Sequence, residues 1–365
     1  MTFLSRPRRL AAPRGRVPVV RPVLQPLSLE PEEIIVGDMP IVVMGSSAGG
    51  LDALKRVIAP LPKDFPAPIF VVNHMSADGD AGILCRALSA SGELPCSEAR
   101  DEEEFRPGHI YLAPADHHML LEKEVIRITK GARENRSRPG IDPLFRSAAV
   151  AHGNRVTGVI LTGYLNDGTA GLNAVHRCGG ICVVQDPDDA AYPDMPSSAL
   201  RATAVDHCVP LAQLGALLTE LVHRKPRPRV PVPEDIALEA RIAQRVLSDL
   251  PSVNKLGHQV PFNCPDCGGV LWEIEAVESL RFRCHTGHAF TVDILRAAQE
   301  TKIEETLWHA LRMFEERKNL LQKMAGRSSD SSSRSMKERA QESEVHIERI
   351  RAMLKAGSKE RWEVD

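Results

Sequence analysis

Three apolar runs in the sequence are each followed by a residue that is used in hydrolysis. Ser47 stands at the centre of "GSSAG" (residues 45–49), a G-x-S-x-G pattern between a predicted strand and a predicted helix. His74 follows the run "PIFVVN", and Asp167 follows "GVILTGYLN". Because the carboxyl ends of parallel strands lie at one edge of a sheet, we expect these side chains to converge there. The pattern predicts a triad with Ser47 as nucleophile, His74 as general base and Asp167 as the residue that orients the histidine.

The turn around Ser47 has two other interpretations. A Rossmann loop needs G-x-G-x-x-G, whereas the glycines here are Gly45, Gly49 and Gly50, and the turn has no lysine for a Walker loop. A phosphate-binding loop is therefore disfavoured. The second alternative is a turn whose small residues serve only close packing. The chain order Ser, His, Asp also differs from that of α/β-hydrolases, so the triad would be a separate solution to the same chemistry.

A second group of reactive residues lies further along the chain, in "CPDC" and "CHTGH". Their spacing is C-x2-C-x16-C-x3-H, which is typical of a tetrahedral structural zinc site. The predicted ligands are Cys264, Cys267, Cys284 and His288. His285 and His258 stay open as alternative fourth ligands, and a redox C-x-x-C is the competing interpretation. Four protein ligands would close the coordination shell, so no cofactor is predicted for catalysis.

The remaining sequence indicates the elements that position these residues. Short apolar runs alternate with helical patterns over residues 39–223, for example the run at 41–44 and the helical pattern at 143–152. This alternation predicts an α/β fold with a mainly parallel, doubly wound sheet and helices on both faces. Residues 125–129 are predicted to form one arm of a hairpin added to that sheet. A small zinc ribbon and a helical tail are predicted to follow.

Shifts in composition divide the chain into five predicted segments. They are a basic, disordered leader (1–38), the α/β domain (39–223), a Pro-rich linker with a short helix (224–253), the zinc-ribbon-like unit (254–290) and a helical tail (291–365) with a flexible linker near 326–335. Met39 directly precedes the first predicted strand and is an alternative start of the chain.

Composition limits the classes of function. The formal net charge of −2 and the aromatic content of 4% argue against nucleic-acid binding as the main function. No apolar run reaches the roughly 18 residues that a membrane span needs. The leader lacks the apolar core of an export signal, so the eight cysteines are expected in a reducing cytoplasm.

Seven motifs in order give the chain a family resemblance. They are "VVMGSSAGG", "VVNHMS", "GHIYLAPADHHMLL", "RPGIDPLF", "GVILTGYLNDGTAG", "VVQDP" and "MPSSA". Residues 39–223 thereby resemble the catalytic domain of the chemotaxis protein-glutamate methylesterases, the CheB type. The resemblance implies a hydrolase that removes methyl groups from glutamates of chemoreceptors and that also deamidates certain glutamines. It implies the same triad roles, with the backbone N–H groups of Ala48 and Tyr164 as the oxyanion hole.

The sequence departs from the family pattern at several places. Ala48 stands where threonine is frequent, and Gly163-Tyr164-Leu165 replaces a usual Gly-Met-Gly. Because backbone donors survive a change of side chain, we expect activity to persist. Family members usually begin with a receiver domain, and the residues before Met39 are not expected to form one. The zinc-ribbon-like unit and the tail are therefore expected to regulate or dock the enzyme.

Substrate recognition and partners are less defined by the sequence. Arg136 and Arg138, in a segment expected to frame the cleft, are predicted to meet acidic receptor helices; solvated loop charges are the alternative. The expected partners are a methylated chemoreceptor or another methylated signalling protein, and a methyltransferase. The competing hypothesis is a non-catalytic signalling scaffold that binds the same partners through this domain.

Overall fold

The computed structural model describes residues 39–245, 250–274, 280–327 and 330–360. The predicted leader, 1–38, lies outside these described residues. None of the described helices has the length and apolar character that crossing a bilayer requires.

The site-bearing part of the chain is built on a parallel sheet. Its strands, with those of a smaller sheet, are β1 (Ile41–Ser46), β2 (Ile69–Asn73), β3 (Cys96–Glu98), β4 (Glu103–Glu104), β5 (Ile110–Leu112), β6 (His118–Leu121), β7 (Val125–Thr129), β8 (Val156–Ile160), β9 (Ile181–Gln185) and β10 (His207–Val209). Seven strands form the main sheet in the order β10-β9-β8-β1-β2-β5-β3, and every pairing is parallel. Strands β4, β7 and β6 form a separate antiparallel sheet. Residues 125–129 are thus part of a hairpin, but the prediction that it joins the main sheet is wrong.

Helices cover both faces of the main sheet, and the predicted fold class is confirmed. They are α1 (Gly50–Ile58), α2 (Ala81–Ser89), α3 (Ile141–His152), α4 (Thr169–Arg177), α5 (Asp194–Ala202) and α6 (Leu211–Leu221). Side chains alternate along β1, because successive residues of a strand point to opposite faces. Ile41 and Val43 pack with α3, α4 and α5 in one core cluster, whereas Val42 and Met44 pack with α1, α2 and α6 in another. Two apolar layers therefore hold β1 in the centre of the domain.

The C-terminal part combines a small antiparallel sheet with helices. Its elements are α7 (Glu234–Arg245), α8 (Leu250–Leu256), β11 (Gly257–Asn263), β12 (Val270–Ile274), β13 (Arg281–Cys284), β14 (Ala289–Thr291), α9 (Val292–Ala325) and α10 (Asp330–Glu360). The four strands pair in sequence order. We call residues 257–291 the Cys/His unit, because they carry the predicted metal ligands.

The prediction of a flexible linker near 326–335 is wrong for most of that stretch. A turn occupies residues 326–327, and helix α10 already begins at Asp330. Serine has only a modest intrinsic penalty in a helix, and packing can override it. Helices α9 and α10 pack through the buried side chains of Leu311, Ile347 and Ile350. The Ser333 hydroxyl also donates to the carbonyl of Ala325 at 2.8 Å, where α9 ends.

A cluster of five charges, four of them buried and Arg281 partly exposed, joins the α/β part to the Cys/His unit. Glu134 and Arg146 come from the α/β part, Glu239 from α7, and Arg281 and Arg283 from β13. Arg283 Nη2 lies 3.0 Å from both Glu134 Oε1 and Glu239 Oε2, and Arg146 Nη2 lies 2.7 Å from Glu134 Oε2. Burial raises the pKa of Glu134, but the nearby arginines outweigh it and hold the pKa below its usual value. Removing one arginine leaves buried carboxylates with fewer opposite charges to offset the cost of their burial.

We predict that Arg283→Met destabilises the fold by roughly 3–5 kcal/mol, because two buried carboxylates lose a shared partner. Urea unfolding followed by circular dichroism measures this loss. Arg224→Met is the matched control, because Arg224 forms an exposed pair with Glu220 that contributes at most about 1 kcal/mol. Equal midpoints for the two variants would contradict a stabilising role for the cluster.

Candidate active site

Three adjacent strands bring the predicted triad residues to one edge of the sheet. Strand β1 pairs with β2 on one side and with β8 on the other. Ser47 follows β1, His74 follows β2, and Asp167 lies in the loop between β8 and α4. Since the three strands are parallel, their carboxyl ends lie side by side.

The turn that carries Ser47 is fixed by backbone bonds and by glycine. The N–H of Ser47 donates to the carbonyl of Thr162 at 3.0 Å, and the N–H of Gly50 donates to the carbonyl of Ser47 at 2.9 Å. Gly49 has a φ of 72°, a left-handed conformation that glycine adopts without the steric cost of a Cβ atom. The chain can thus turn at once from β1 into α1, with Ser47 between them.

The three side chains form a continuous hydrogen-bonded chain. His74 Nδ1 lies 3.2 Å from Ser47 Oγ, and His74 Nε2 lies 2.8 Å from Asp167 Oδ2. An imidazole that carries its proton on Nε2 donates to the carboxylate and keeps the Nδ1 lone pair for the serine hydroxyl. The ring is turned relative to chymotrypsin-like proteases, in which Nε2 faces the serine.

The carboxylate of Asp167 is almost fully buried and surrounded by N–H donors. Besides His74, it accepts from the backbone N–H of Ile141 at 2.8 Å, from Asn135 Nδ2 at 2.9 Å and from the N–H of Asp142 at 3.4 Å. Ile141 and Asp142 form the start of α3, where the helix dipole favours an anion. Burial alone would raise the pKa of Asp167, but these bonds and His74 hold the pKa below its usual value. The group is therefore an anion that can stabilise a positively charged imidazole.

Asn135 is a site residue that the sequence analysis did not identify. Its side-chain amide donates to both Asp167 and Asp142, each at 2.9 Å. Its φ of 52° lies in the left-handed region, which asparagine tolerates better than most residues. A single asparagine in a loop carries no local sequence pattern, so only the fold reveals its contact with Asp167.

The predicted oxyanion donors, Ala48 and Tyr164, follow Ser47 and Gly163 in the chain, and a Cβ atom at Gly163 would lie 2.7 Å from Ser47 Cβ. The N–H of Ser47 donates to the carbonyl of Thr162, and the N–H of Gly163 donates to the carbonyl of Tyr192. Among the described residues, no protein acceptor lies within hydrogen-bond distance and angle of the N–H groups of Ala48 and Tyr164. The Tyr164 side chain is 55% exposed, and its ring centroid lies 4.5 Å from that of Tyr192. The residue that would supply the second backbone donor, Tyr164, therefore also presents an exposed aromatic ring next to that of Tyr192.

The two predicted cleft arginines have different surroundings. Both line a cleft of about 230 Å³ beside His74. Arg138 is engaged by Asp116, with Nη2 at 2.6 Å from Oδ1, and its Nη1 donates to the carbonyl of Gly131. This contact lowers the pKa of Asp116 to about 2. Arg136 is exposed, so it is the one of the two that presents its charge at the cleft surface.

The predicted metal ligands also come together. Ligand atoms of Cys264, Cys267, Cys284 and His288 all lie within 4.8 Å of one another. Cys267 Sγ lies 3.7 Å from Cys284 Sγ, and Cys284 Sγ lies 3.5 Å from His288 Nδ1. A tetrahedral site with Zn–S bonds of about 2.3 Å has S···S edges of about 3.8 Å, so the donor set fits. Within the described part of the chain, His285 and His258 do not belong to this cluster.

Known proteins share this domain. The family model described as CheB methylesterase matches residues 42–218. A Leptospira interrogans protein, assigned to the protein-glutamate methylesterase/protein-glutamine glutaminase class, is 40% identical over 181 residues, which are 49% of this chain and 93% of that protein. The Bordetella pertussis protein-glutamate methylesterase/protein-glutamine glutaminase is 38% identical over 220 residues, which are 59% of this chain and 62% of that protein. The crystal structure of the Thermotoga maritima CheB methylesterase catalytic domain matches at 37% identity and a TM-score of 0.49, over 50% of this chain and 98% of that one.

The fold and the two sequence relatives define a hydrolase domain of the α/β type. The chain belongs to the CheB methylesterase family.

Gly163 offers a test of how tightly Ser47 is held. A Cβ atom at this position would lie 2.7 Å from Ser47 Cβ and would also strike Met195 Sδ. We predict that Gly163→Ala lowers kcat/KM for ester hydrolysis by about 10²-fold, because a small displacement of a reacting group is enough for such a loss.

The matched control for this prediction is Gly326→Ala, whose Cβ atom would lie 3.8 Å from its nearest neighbour. Circular dichroism checks that both variants fold. An unchanged kcat/KM in Gly163→Ala would show that Ser47 tolerates the added methyl group.

Proposed function

We propose that this chain hydrolyses glutamate methyl esters of signalling proteins, with Ser47, His74 and Asp167 as its catalytic triad. The observation that carries the proposal is the chain of hydrogen bonds from Ser47 Oγ through His74 to the buried Asp167 carboxylate. The names of the relatives support glutamate methyl esters as the substrate class.

Acylation follows from the arrangement of the three side chains. Ser47 Oγ attacks the ester carbonyl carbon while its proton moves to His74 Nδ1. Asp167 keeps the imidazole in position and stabilises the imidazolium. The N–H groups of Ala48 and Tyr164 donate to the tetrahedral oxyanion, at about 2.7–4 kcal/mol for each donor in well-studied hydrolases. The C–O bond then breaks, and methoxide takes the proton from His74 Nδ1 to leave as methanol.

Deacylation repeats the same proton transfers with water. His74 Nδ1 takes a proton from water, the resulting nucleophile attacks the Ser47 ester, and the proton returns to Ser47 Oγ. The product is a glutamate side chain. A glutamine substrate would form the same acyl intermediate and release ammonia, which supports the deamidase activity that the names of the relatives also carry.

The proposed substrate is a methylated chemoreceptor or a related methylated protein. The family resemblance carries this part, together with the exposed Arg133 and Arg136 at the cleft beside His74. Exposed guanidinium groups suit a substrate surface that is rich in carboxylates. A methyltransferase that acts on the same receptor is the proposed functional partner.

We predict that Ser47→Ala lowers methanol release from a methylated chemoreceptor fragment by roughly 10⁴-fold or more, because loss of a triad nucleophile removes covalent catalysis. Gas chromatography of the released methanol measures the rate. Ser46→Ala is the matched control, because the Ser46 hydroxyl donates to Asn73 Oδ1 rather than to His74. Equal release from wild type and Ser47→Ala would contradict the triad. Release from none of the three proteins would contradict this substrate and favour the scaffold hypothesis.

We also propose that Cys264, Cys267, Cys284 and His288 hold one structural zinc ion. The fit of the observed spacings to a tetrahedral thiolate site supports this proposal. Zinc would cross-link the β11–β12 and β13–β14 turns, and such sites contribute directly to folding.

The expected zinc content is one ion per chain by atomic emission spectroscopy. Cys264→Ser should lose most of the zinc and unfold the Cys/His unit at a lower temperature, because a ligand and its metal cross-link are lost. Cys208→Ser is the control, since Cys208 is an exposed free thiol outside the cluster. Equal zinc content in both variants would contradict the proposed site.

A further inference from the structure

The Cys/His unit contacts the residues that hold the triad acid. Strand β14 lies against the loop that precedes α3: the N–H of Asn135 donates to the carbonyl of Ala289 at 2.8 Å. At the end of the strand, the N–H of Thr291 donates to Asn135 Oδ1 at 3.2 Å. The Thr291 hydroxyl donates to Asn166 Oδ1 at 2.8 Å. Thr291 therefore contacts both Asn135, which bonds to Asp167, and Asn166, which precedes Asp167 in the chain.

The contact with Asn135 determines which end of its amide faces Asp167. An asparagine side chain has an acceptor end and a donor end, and the two ends are not interchangeable. The acceptor end, Oδ1, is occupied by the N–H of Thr291. The donor end, Nδ2, then points at Asp167 Oδ1 and Asp142 Oδ2. A flipped amide would place its oxygen against two carboxylates and its NH2 group against an N–H donor.

The electrostatics explain why this amide is needed. Asp142 and Asp167 are both buried, and burial together with the negative charge of Asp167 raises the pKa of Asp142 to about 7. A neutral donor between the two carboxylates stabilises Asp167 without adding a further charge. It also leaves Asp167 Oδ2 free to accept from His74 and from the N–H of Ile141.

The contact with Asn166 fixes the backbone next to the acid. Asn166 Nδ2 lies 3.4 Å from Asp293 Oδ2, in the first turn of α9, so both ends of this second amide meet the C-terminal part. Arg283 of β13 pairs with Glu134 at 3.0 Å, which anchors the unit directly beside Asn135. The Cys/His unit is thus held at the acid side of the triad by both backbone and charged contacts.

We infer that Thr291 is a positioning residue for catalysis, and that the Cys/His unit completes the active site through it. The inference rests on the proposed function and assigns to this unit a part in the same reaction. Thr291 does not touch the substrate cleft. It acts through Asn135 and Asn166 on the orientation of the Asp167 carboxylate and thereby on His74.

Three substitutions at one position separate the two contacts. Thr291→Val removes the hydroxyl bond to Asn166, and kcat should fall about 5- to 20-fold with KM unchanged, as expected for one lost, partly buried hydrogen bond. Thr291→Ser keeps the hydroxyl and should restore kcat to within about 2-fold of wild type. Thr291→Pro also removes the N–H that holds Asn135, and should lower kcat further. The φ of −77° at Thr291 is already compatible with proline.

A spectroscopic readout makes the test independent of turnover. The proton shared between His74 Nε2 and Asp167 is expected to give a low-field proton NMR signal, which ¹⁵N-histidine labelling and its loss in His74→Ala assign. This signal should weaken or shift in Thr291→Val and return in Thr291→Ser. The control is Thr301→Val, because the Thr301 hydroxyl donates only within α9, to the carbonyl of Ala297. All variants are measured in the full chain, with zinc content and circular dichroism confirming that the unit is folded.

Lower kcat together with an altered signal in Thr291→Val, both restored in Thr291→Ser, would support the inference. A wild-type kcat and an unchanged signal in Thr291→Val would overturn it. A loss that Thr291→Ser does not restore would also overturn it, because the effect would then belong to packing rather than to the hydroxyl. If wild type releases no methanol, the proposed function fails, but the NMR comparison still decides whether Thr291 positions Asp167.

Discussion

The burial of one charged carboxylate, that of Asp167, is the constraint on which the rest of the site depends. An ionised carboxylate that is removed from water must be surrounded by donors, or its proton affinity rises and the charge is lost. Here the donors come from three separate chain segments: His74, Asn135 and the first turn of α3. The folded α/β domain therefore has to assemble these segments before Asp167 can orient a histidine.

The same constraint links the two parts of the chain. Asn135 supplies one of the donors, and its own amide is held by Thr291 of the Cys/His unit. The buried charge cluster around Glu134 and Arg283 keeps that unit in place at the neighbouring residue. Because those charges are costly to bury unless they stay paired, the docked arrangement depends on every one of them keeping a partner of opposite charge. Regulation through this unit would then act at the Asp167 end of the proposed triad.

Much of this architecture could be predicted from local patterns, and the remainder depends on long-range contacts. The alternation of apolar runs and helical patterns is a local property, so the parallel sheet and the strand-end positions of Ser47, His74 and Asp167 follow from it. The spacing of the four Cys/His ligands is equally local. Asn135 and Thr291 lie 156 positions apart, and neither has a distinctive pattern around it. The helical state of the serine-rich start of α10 is likewise not a local property, since this helix is stabilised by packing against α9.

The central claim is that Ser47 is a nucleophile activated by His74, and covalent labelling tests it most directly. The intact chain is treated with a fluorophosphonate, and peptide mass spectrometry locates the adduct. We predict a single adduct on Ser47 in wild type, and at least about 10³-fold slower labelling in His74→Ala, because the general base is lost. An adduct on another residue, or equally fast labelling without His74, would contradict the account.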